Sequence, residues 1–415
     1  MEILKDRYLT KFILDTLKTM PLVYLNGPRQ AGKTFVADHL SWATGEKRFS
    51  FDEPFTIDAA LYRTADFMQE MSKDKLNIID EVQFAPSIFP YLKLQIDQSR
   101  AAGKGEGLFL ITGSANLLAL PTLANALVGR MAIWTLYPFA AAEYAQTTPM
   151  DFFAEDFINH LLDQRMATND LLEMVEHSTY PHIALQEGVK VRKWFDWYLN
   201  TILYHDVPTI SEIKDPQKMV SFLAFLAMRT GSLLNLSVLA KKSQVNYRTA
   251  EKMLALAQNA FLIFLLKPWA HPNHLDHRFT RSPKLYFIDT NFLTYLLNRQ
   301  LATIYHNDPT AWGHLLENFV ATELVKIASW HDWVLSYFRT VQGDEVDFVL
   351  EKDDELVGIE VKSSVAPDAK FAKGLRKLKE ITGKRFKRGL VLYMGEKVAA
   401  LGDDCWAVPL SVFWH

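Results

Sequence analysis

A glycine-rich octapeptide, Gly27-Pro-Arg-Gln-Ala-Gly-Lys-Thr34, lies between an apolar run and a segment of helical character. Glycines at both ends allow the backbone to turn so that successive N–H groups point at phosphate oxygens, and the N-terminus of the next helix adds a partial positive charge. Lys33 would reach the β- and γ-phosphates of a nucleotide, and the Thr34 hydroxyl would bind Mg²⁺. The candidate nucleotide-binding residues in this loop are Gly27, Pro28, Arg29, Gln30, Ala31, Gly32, Lys33 and Thr34.

An acidic pair ends the next apolar run. Residues 76–81 read Leu-Asn-Ile-Ile-Asp-Glu, which predicts a strand that closes with Asp80 and Glu81. In a nucleotide site, Asp80 would hold Mg²⁺ through water, and Glu81 would polarise the attacking water as a general base. The pair is weak evidence alone and gains weight from its position after the glycine loop.

Polar residues at two further strands extend the candidate site. An apolar run at 108–111 leads to Thr112 and Ser114, whose hydroxyls either contact the γ-phosphate or form an ordinary turn. Arg130 precedes the apolar run 131–136. It is a candidate arginine finger that reaches the nucleotide of a neighbouring subunit, and the alternative is a surface salt bridge.

Together these segments resemble AAA-type P-loop ATPases of bacteria and archaea that carry a long C-terminal extension of unknown function. The resemblance rests on five stretches, in this order: GPRQAGKT, IIDEVQ, LITGSANLL, LVGR and TLYPFAAAEY. Members of that family commonly have leucine or serine where this chain has Ala140. The resemblance extends over nearly the whole chain. It implies ATP as the nucleotide, favours Arg130 as the finger, and says little about the biological role.

A second group of ionisable residues lies at a predicted hairpin near the C-terminus. Asp347 lies in one apolar strand, and Glu360 and Lys362 end the next. Glu317 lies on the preceding amphipathic helix, 312–327. The order helix, three strands, helix, strand matches the restriction-endonuclease-like core, whose signature is an acid on the helix followed by D…(D/E)-x-K.

These residue types suit metal-dependent cleavage of a phosphodiester. Glu317, Asp347 and Glu360 would bind one or two Mg²⁺ ions through oxygen, and the metal would activate a water and stabilise charge on the scissile phosphate. Lys362 follows Glu360 by two residues and therefore shares its sheet face, where it would stabilise the phosphorane or orient the water. The alternatives are a salt-bridged surface hairpin, or a core that binds a partner or DNA without cutting it.

Two basic regions are candidates for contact with nucleic acid. Residues 233–266 predict helix, turn, helix and strand, the plan of a winged helix. The cations and polar residues on its turn and second helix are Lys241, Lys242, Gln244, Tyr247, Arg248 and Lys252. Residues 370–388 form the second region, in which nine Lys and Arg residues surround Glu380. Each region predicts contact with the phosphates of a nucleic acid. The alternative for the first region is a winged helix used for protein contacts or for rigidity. The alternative for the second is a solvated helix face beside an acidic segment.

Composition sets the frame for these elements. The chain has 415 residues, a net charge of −3, 49% apolar residues and one cysteine, Cys405, which excludes disulfide frameworks and thiolate zinc sites. It lacks a signal-like N-terminus and an uncharged run of ~18 residues, so we expect a cytoplasmic protein with no membrane partner. From the motifs described above, we also expect it to assemble as a homo-oligomer through its ATPase domain and to act on DNA. The predicted fold is α/β with four parts: an AAA-type P-loop domain (1–145), a helical lid or connector (146–215), a winged helix (216–280) and a restriction-endonuclease-like domain (281–415).

Overall fold

The computed structural model describes residues 5–44, 48–72, 75–113, 127–162, 166, 170–206, 216–271 and 282–415. The chain divides into two compact units. One consists of Asp6–Pro138, and the other contains Phe139–His415. Within the described ranges, no helix is both long enough and apolar enough to cross a membrane.

The unit Asp6–Pro138 is built on a parallel five-stranded sheet of order β2-β3-β4-β1-β5. Its strands are β1 (Leu22–Asn26), β2 (Arg48–Ser50), β3 (Asn77–Asp80), β4 (Phe109–Thr112) and β5 (Met131–Thr135). Its helices are α1 (Leu9–Leu17), α2 (Lys33–Thr44), α3 (Pro54–Tyr62), α4 (Thr64–Gln69) and α5 (Phe89–Ala101). Every residue of β1, β3 and β4 is buried, as expected for a parallel sheet covered on both faces.

Four of these strands agree with the apolar runs in the sequence, and β2 was not predicted because it has only three residues. Asn77 interrupts the apolar run of β3 for a structural reason. Its side-chain amide donates to the carbonyls of Ser72 and Leu108, and its oxygen accepts from the Ser72 N–H. The side chain is almost fully buried and satisfies backbone groups at the edge of the strand.

Short helices begin the unit Phe139–His415. They are α6 (Ala141–Ala145), α7 (Phe157–Leu162), α8 (Leu171–His177), α9 (Pro181–Leu185), α10 (Val191–Thr201) and α11 (Pro216–Ala227). The helix predicted over 189–205 is α10, which continues into a π-helical turn at Ile202–Asp206. Aromatic residues of α10 fix its buried face, since Trp194, Phe195 and Tyr198 pack around Tyr180.

The predicted helix, turn, helix and strand are present in the next segment. Helices α12 (Leu236–Lys242) and α13 (Tyr247–Asn259) each begin at an asparagine cap, because Asn235 accepts from Val238 N–H and Asn246 accepts from Thr249 N–H. Strand β6 (Ile263–Leu266) then pairs antiparallel with β7 (Lys284–Phe287). The inner face of α13 is the predicted one, with Ala250, Met253, Leu254 and Leu256 buried.

The C-terminal part is a six-stranded sheet of order β12-β13-β11-β10-β9-β8. Helices α14 (Thr290–Leu296) and α15 (Leu301–Asn307) lead into the long helix α16 (Pro309–Trp330). The strands and the second helix are β8 (Val334–Arg339), β9 (Glu345–Lys352), β10 (Glu355–Lys362), α17 (Lys373–Thr382), β11 (Phe386–Tyr393), β12 (Ala399–Gly402) and β13 (Cys405–Pro409). The predicted element order is therefore present, and β12 and β13 add two strands beyond it.

Candidate functional sites

The glycine loop adopts a conformation that requires glycine at its first position. Gly27 directly follows β1 with φ +140°, and a Cβ atom there would lie 2.2 Å from the Leu136 carbonyl oxygen. Gln30 and Gly32 also have positive φ. Lys33 opens α2 and is buried, and its Nζ donates to the carbonyls of Gly27 at 3.0 Å and Pro28 at 2.8 Å. The loop thus wraps around the lysine ammonium group.

The remaining loop residues surround this arrangement. Pro28 and Ala31 are buried, Arg29 is partly buried, and Gln30 and Thr34 are exposed. Arg7 also contacts the loop, although nothing in the sequence was a reason to select it. Its guanidinium donates to the carbonyls of Ala31 and Tyr137, each at 2.6 Å. A buried arginine with two carbonyl acceptors fixes the loop relative to the residues that follow β5.

The acid pair lies at the same sheet edge as the loop. Asp80 ends β3, is fully buried, and accepts from the Thr112 hydroxyl on Oδ1 and from the Arg48 guanidinium on Oδ2. Arg48 also pairs with Asp38 of α2 at 3.0 Å. Because both Asp80 oxygens accept bonds from protein groups, contact with Mg²⁺ through water fits this residue better than direct ligation.

Glu81 combines an acid with an unusual backbone. Its φ of 56° lies in the left-handed region, which costs a non-glycine residue on the order of 1–3 kcal/mol and is concentrated at functional sites. The Glu81 N–H donates to the Thr112 hydroxyl at 3.2 Å, and the Gln83 amide donates to the Glu81 carboxylate. Thr112 therefore links the two acids, a contact that neither sequence alternative for this residue included. Ser114 lies outside the described residues.

Arg130 is held within its own chain. Its guanidinium forms a bidentate ion pair with Asp97 of α5, with Nε–Oδ1 2.7 Å and Nη2–Oδ2 3.0 Å. The hydrogen bond and charge of Asp97 raise the pKa of Arg130, and Arg130 in turn lowers the pKa of Asp97. This is the geometry of the surface salt bridge, so a role as a finger requires the pair to open.

The C-terminal acids do converge. Asp347 of β9 and Glu360 of β10 lie on neighbouring strands, where Glu360 Oε2 accepts from Asp347 N–H at 3.4 Å and Asp347 Oδ2 accepts from Val361 N–H at 3.0 Å. Lys362 Nζ lies 2.5 Å from Glu360 Oε1. Glu317 of α16 and Glu345, at the start of β9, lie in the same group, since both contact the Lys284 ammonium group. We call Glu317, Glu345, Asp347 and Glu360 the carboxylate cluster.

A lysine that sequence reasoning missed lies inside the carboxylate cluster. Lys284 of β7 is 2% exposed. Its Nζ lies 2.7 Å from Glu345 Oε1, 3.4 Å from Glu317 Oε1 and 3.5 Å from Asp347 Oδ1. One ammonium group thus contacts carboxylates from a helix and a strand.

The electrostatics of the carboxylate cluster follow from burial and mutual repulsion. Burial would lower the pKa of Lys284, but the carboxylates of Glu317, Asp347 and Glu345 together raise it above its ordinary value. Burial and the charge of Asp347 raise the pKa of Glu317 and of Glu360, against the opposing effect of the nearest lysine in each case. Lys284 and Lys362 thus oppose, without reversing, the shift of Glu317 and Glu360 toward their neutral forms in a poorly solvated environment.

The predicted Mg²⁺ ligands do not fit a metal ion in this arrangement. Mg²⁺ requires oxygens at 2.0–2.1 Å in octahedral geometry, and the Lys284 ammonium group lies where Glu317, Glu345 and Asp347 meet. Over the described ranges, no three His, Cys, Asp or Glu side chains are arranged to hold a metal ion. Glu317, Asp347 and Glu360 lie near one another, but Glu317 and Asp347 share Lys284 as a partner and Glu360 pairs with Lys362.

The basic region 370–388 is largely neutralised by acids that lie elsewhere in the sequence. Lys373 pairs with Asp344, Arg376 with Asp403, Lys379 with Asp404, Arg385 with Glu351, and Lys387 with Glu155 and Glu355. Arg388 is buried and donates to the Ala154 carbonyl. These contacts favour the alternative reading of a solvated face beside acidic segments.

The surface formed by the end of α12, the following turn and α13 differs from the basic region 370–388 in its ion pairing. Lys241, Lys242, Gln244, Tyr247, Arg248 and Lys252 are all exposed. Within the described part of the chain, no acid forms an ion pair with Lys241, Lys242 or Arg248. This surface carries uncompensated positive charge beside an exposed tyrosine.

Three sequence-family models match parts of the chain. Residues 19–145 match an AAA domain, and residues 168–303 and 312–413 match two domains of unknown function, DUF8612 and DUF4143. Lys284 lies in the DUF8612 match, whereas Glu317, Asp347 and Glu360 lie in the DUF4143 match.

Curated relatives extend the similarity over most of the chain. Uncharacterized proteins of Mycobacterium tuberculosis and Mycobacterium bovis are each 27% identical over 394 residues, which cover 95% of this chain and 81% of theirs. An uncharacterized protein of Haemophilus influenzae is 22% identical over 327 residues, covering 75% of this chain and 73% of its own.

Solved structures overlap only partially with the chain. A Walker-type ATPase of Pyrococcus abyssi has a TM-score of 0.39 at 13% identity and covers 71% of this chain and 96% of its own. A RuvB variant of Thermotoga maritima has a TM-score of 0.32 at 16% identity, with 66% and 94% covered. The family match to residues 19–145 and the geometry of the loop, Asp80 and Thr112 agree with each other. The chain therefore carries an AAA-type P-loop nucleotide-binding domain.

Proposed function

We propose that this protein binds and hydrolyses ATP with Mg²⁺ and couples hydrolysis to an action on DNA. The observation that best supports hydrolysis is the meeting of three functional groups at one sheet edge. Strands β3, β4 and β1 are adjacent, so the Asp80–Glu81 pair, Thr112 and the glycine loop lie side by side at their carboxyl ends, where open α/β sheets bind ligands.

Each residue has a role in this proposal. The backbone of Gly27–Gly32 would bind the phosphates, and Lys33 would exchange its carbonyl partners for the β- and γ-phosphates. Thr34, and Asp80 through water, would hold Mg²⁺, which neutralises charge on the transferred phosphoryl group when it is bound. Glu81, placed by Thr112 and Gln83, would orient the attacking water as general base.

The hydrolysis proposal is tested by steady-state ATPase assays on the full chain. We expect Lys33→Ala and Glu81→Gln each to lower the rate by at least ~100-fold, the loss typical for removing an electrostatic or proton-transfer group. Lys18→Ala, a change of an exposed lysine in the same unit, is the control. Full activity of Lys33→Ala would reject the assignment of the phosphate loop.

Arg130 is proposed as an arginine finger within a homo-oligomer that forms through the ATPase domain. The Asp97 pair would then open when a neighbouring subunit presents its nucleotide. Molecular mass in solution, measured with and without a non-hydrolysable ATP analogue, tests this directly. A strict monomer under both conditions would remove the role, because a finger in trans needs a neighbour.

The DNA-binding surface is proposed to be the α12–α13 pair, as part of a winged helix within a chain that also has a helical lid and a restriction-endonuclease-like domain. Its support is the uncompensated charge of Lys241 and Lys242 at the end of α12 and of Arg248 at the start of α13, on either side of the turn, where such motifs meet the major groove. The phosphates of duplex DNA supply the complementary charge.

A charge-matched comparison tests this surface. The triple change Lys241→Ala, Lys242→Ala and Arg248→Ala should weaken binding to duplex DNA and lower the slope of log K against log salt by about 3, near 0.9 per lost phosphate contact. The triple change Arg376→Ala, Lys377→Ala and Lys379→Ala removes equal charge from ion-paired positions. We expect a smaller slope change there, and equal effects would contradict the choice of surface.

The C-terminal domain has two candidate activities. It either cleaves phosphodiesters with metal through Asp347, Glu360 and Lys362, or binds a partner or DNA in an ATP-dependent regulatory or defence switch without cutting. The contacts of Lys284 with the carboxylate cluster favour the second candidate. Incubation of wild type, Asp347→Ala and Lys362→Ala with supercoiled, linear and branched DNA plus Mg²⁺ separates the two: cleavage by wild type that both variants lose would establish the first.

A further inference from the structure

We propose that Lys284 is a built-in cation of the carboxylate cluster, which holds Glu317, Glu345 and Asp347 together without a divalent metal ion. The inference rests on the geometry of these side chains and is independent of the ATPase assignment. It implies that the C-terminal domain does not bind Mg²⁺ at these carboxylates and therefore does not cut by metal-dependent chemistry.

The position of the ammonium group carries the argument. Lys284 Nζ lies within 2.7–3.5 Å of oxygens on three acids, and a metal bound to the same oxygens would overlap with the nitrogen atom. The lysine side chain is 3% exposed, so movement out into solvent would require its surroundings to open.

Other protein donors also contact oxygens of the cluster. The Tyr286 hydroxyl donates to Glu317 Oε1 at 2.6 Å, and the Val361 N–H donates to Asp347 Oδ2. Lys362 takes Glu360 Oε1, and the Asp347 N–H donates to Glu360 Oε2. One lone pair on each of these four oxygens is thus already engaged with an N–H or O–H group.

The groups that close over Glu317 come from outside the C-terminal sheet. Lys284 and Tyr286 lie on β7, which pairs with β6 and not with the six-stranded sheet. Gly231 packs so closely that a Cβ atom there would lie 3.2 Å from both Glu317 carboxylate oxygens, and its φ is +73°. The segment before α16 therefore supplies a lysine, a tyrosine and a glycine that complete the site.

The charge balance fits the same conclusion. The cluster brings four carboxylates together, and burial with mutual repulsion disfavours their ionised forms. Lys284 supplies positive charge among Glu317, Glu345 and Asp347, Lys362 does so at Glu360, and Arg339 lies 3.7 Å from Glu345. Three cationic side chains therefore offset most of the charge of the four carboxylates, and the raised pKa of Glu317 and of Glu360 reduces the charge that remains.

Calorimetric titration of Mn²⁺ into nucleotide-free full-length protein tests the inference. A Lys33→Ala background separates the result from the nucleotide site. Wild-type protein should show no Mn²⁺ binding that Asp347→Asn removes. Lys284→Met should gain a Mn²⁺ site at least tenfold tighter than any in wild type, and this site should disappear in the double variant Lys284→Met, Asp347→Asn.

Lys362→Met is the matched control, because it removes the other lysine of the group and should gain less Mn²⁺ affinity than Lys284→Met. Mn²⁺ should also raise the Tm of Lys284→Met and leave that of wild type unchanged. Mn²⁺ binding by wild type that Asp347→Asn abolishes would overturn the inference, as would a folded Lys284→Met with no gain. The wild-type and Asp347→Asn measurements decide the question even if Lys284→Met does not fold.

Discussion

Two buried lysines, Lys33 and Lys284, lie in the two candidate sites and differ in the groups that hold them. Lys33 donates to neutral carbonyls of the loop that precedes it. Lys284 contacts three carboxylates from distant parts of the chain. A carbonyl contact is exchanged for a phosphate at little electrostatic cost, whereas removal of a buried ammonium group from three anions leaves those anions uncompensated. The first arrangement suits binding of a ligand, and the second suits a fixed structure.

The contrast between the two lysines is tested most directly by removing each charge in turn. Lys284→Met should lower the free energy of unfolding by about 3–5 kcal/mol, because it leaves buried carboxylates without their partner. Lys33→Met should lower it by about 1 kcal/mol, the scale of ordinary hydrogen bonds. Denaturant unfolding of both variants beside Lys18→Met measures the difference, and equal losses for Lys33 and Lys284 would refute the contrast.

A glycine pair sharpens the description of the first site. Gly27→Ala places a Cβ atom against the Leu136 carbonyl and adds strain at φ +140°, which we expect to cost about 1–3 kcal/mol and to weaken ADP affinity at least tenfold. Gly103→Ala is the control. Gly103 also has a positive φ, but nothing lies within 4 Å of the position that its Cβ atom would take. Affinity measured by calorimetry should be unchanged in Gly103→Ala, and a matching loss there would show that the close approach at Gly27 is unimportant.

A buried acid outside both sites gives the smallest expected effect. Burial raises the pKa of Asp289 to about 6, although Thr179, backbone N–H groups at α14 and the charge of Lys326 oppose the shift. The folded state therefore holds this proton more tightly than the unfolded state, so the resulting stability is present near pH 4 and is lost as pH rises through 6.

Asp289→Asn keeps an oxygen for the Phe292 N–H and cannot ionise. Relative to wild type, its free energy of unfolding should rise by on the order of 1–2 kcal/mol between pH 4 and pH 7. Urea unfolding at both pH values measures the change. A difference between the two proteins that is constant with pH would show that Asp289 does not titrate as described.

The extent to which the sequence predicted these sites depends on the distance along the chain between partners. The glycine loop and four of the five strands of the nucleotide unit are local patterns, and the sequence predicted them. Arg7 and Arg48 were missed because their acceptors at the site, Ala31 and Tyr137 for Arg7 and Asp80 for Arg48, lie 24 to 130 residues away. Nothing in the residues adjacent to an isolated arginine indicates such a partner.

The sequence around Lys284 does contain a pattern that could have indicated its role. Lys284 and Tyr286 alternate with Leu285 and Phe287, so the polar pair shares one face of β7, and both contact Glu317. The sequence predicted the strand but assigned no role to that face. The ion pairs of the basic region 370–388 were missed for the same reason as the partners of Arg7 and Arg48, since acids such as Glu155 lie far away in the sequence, 232 residues from Lys387.

For the part of the chain that the structure describes, we propose one metal site, which the protein builds with a nucleotide. The most direct test is the stoichiometry of Mn²⁺ bound to wild-type protein, measured by equilibrium dialysis with and without a non-hydrolysable ATP analogue. We predict one Mn²⁺ per chain with the analogue and none without it. Two ions per chain, or one ion that binds without nucleotide and is lost in Asp347→Asn, would contradict the account.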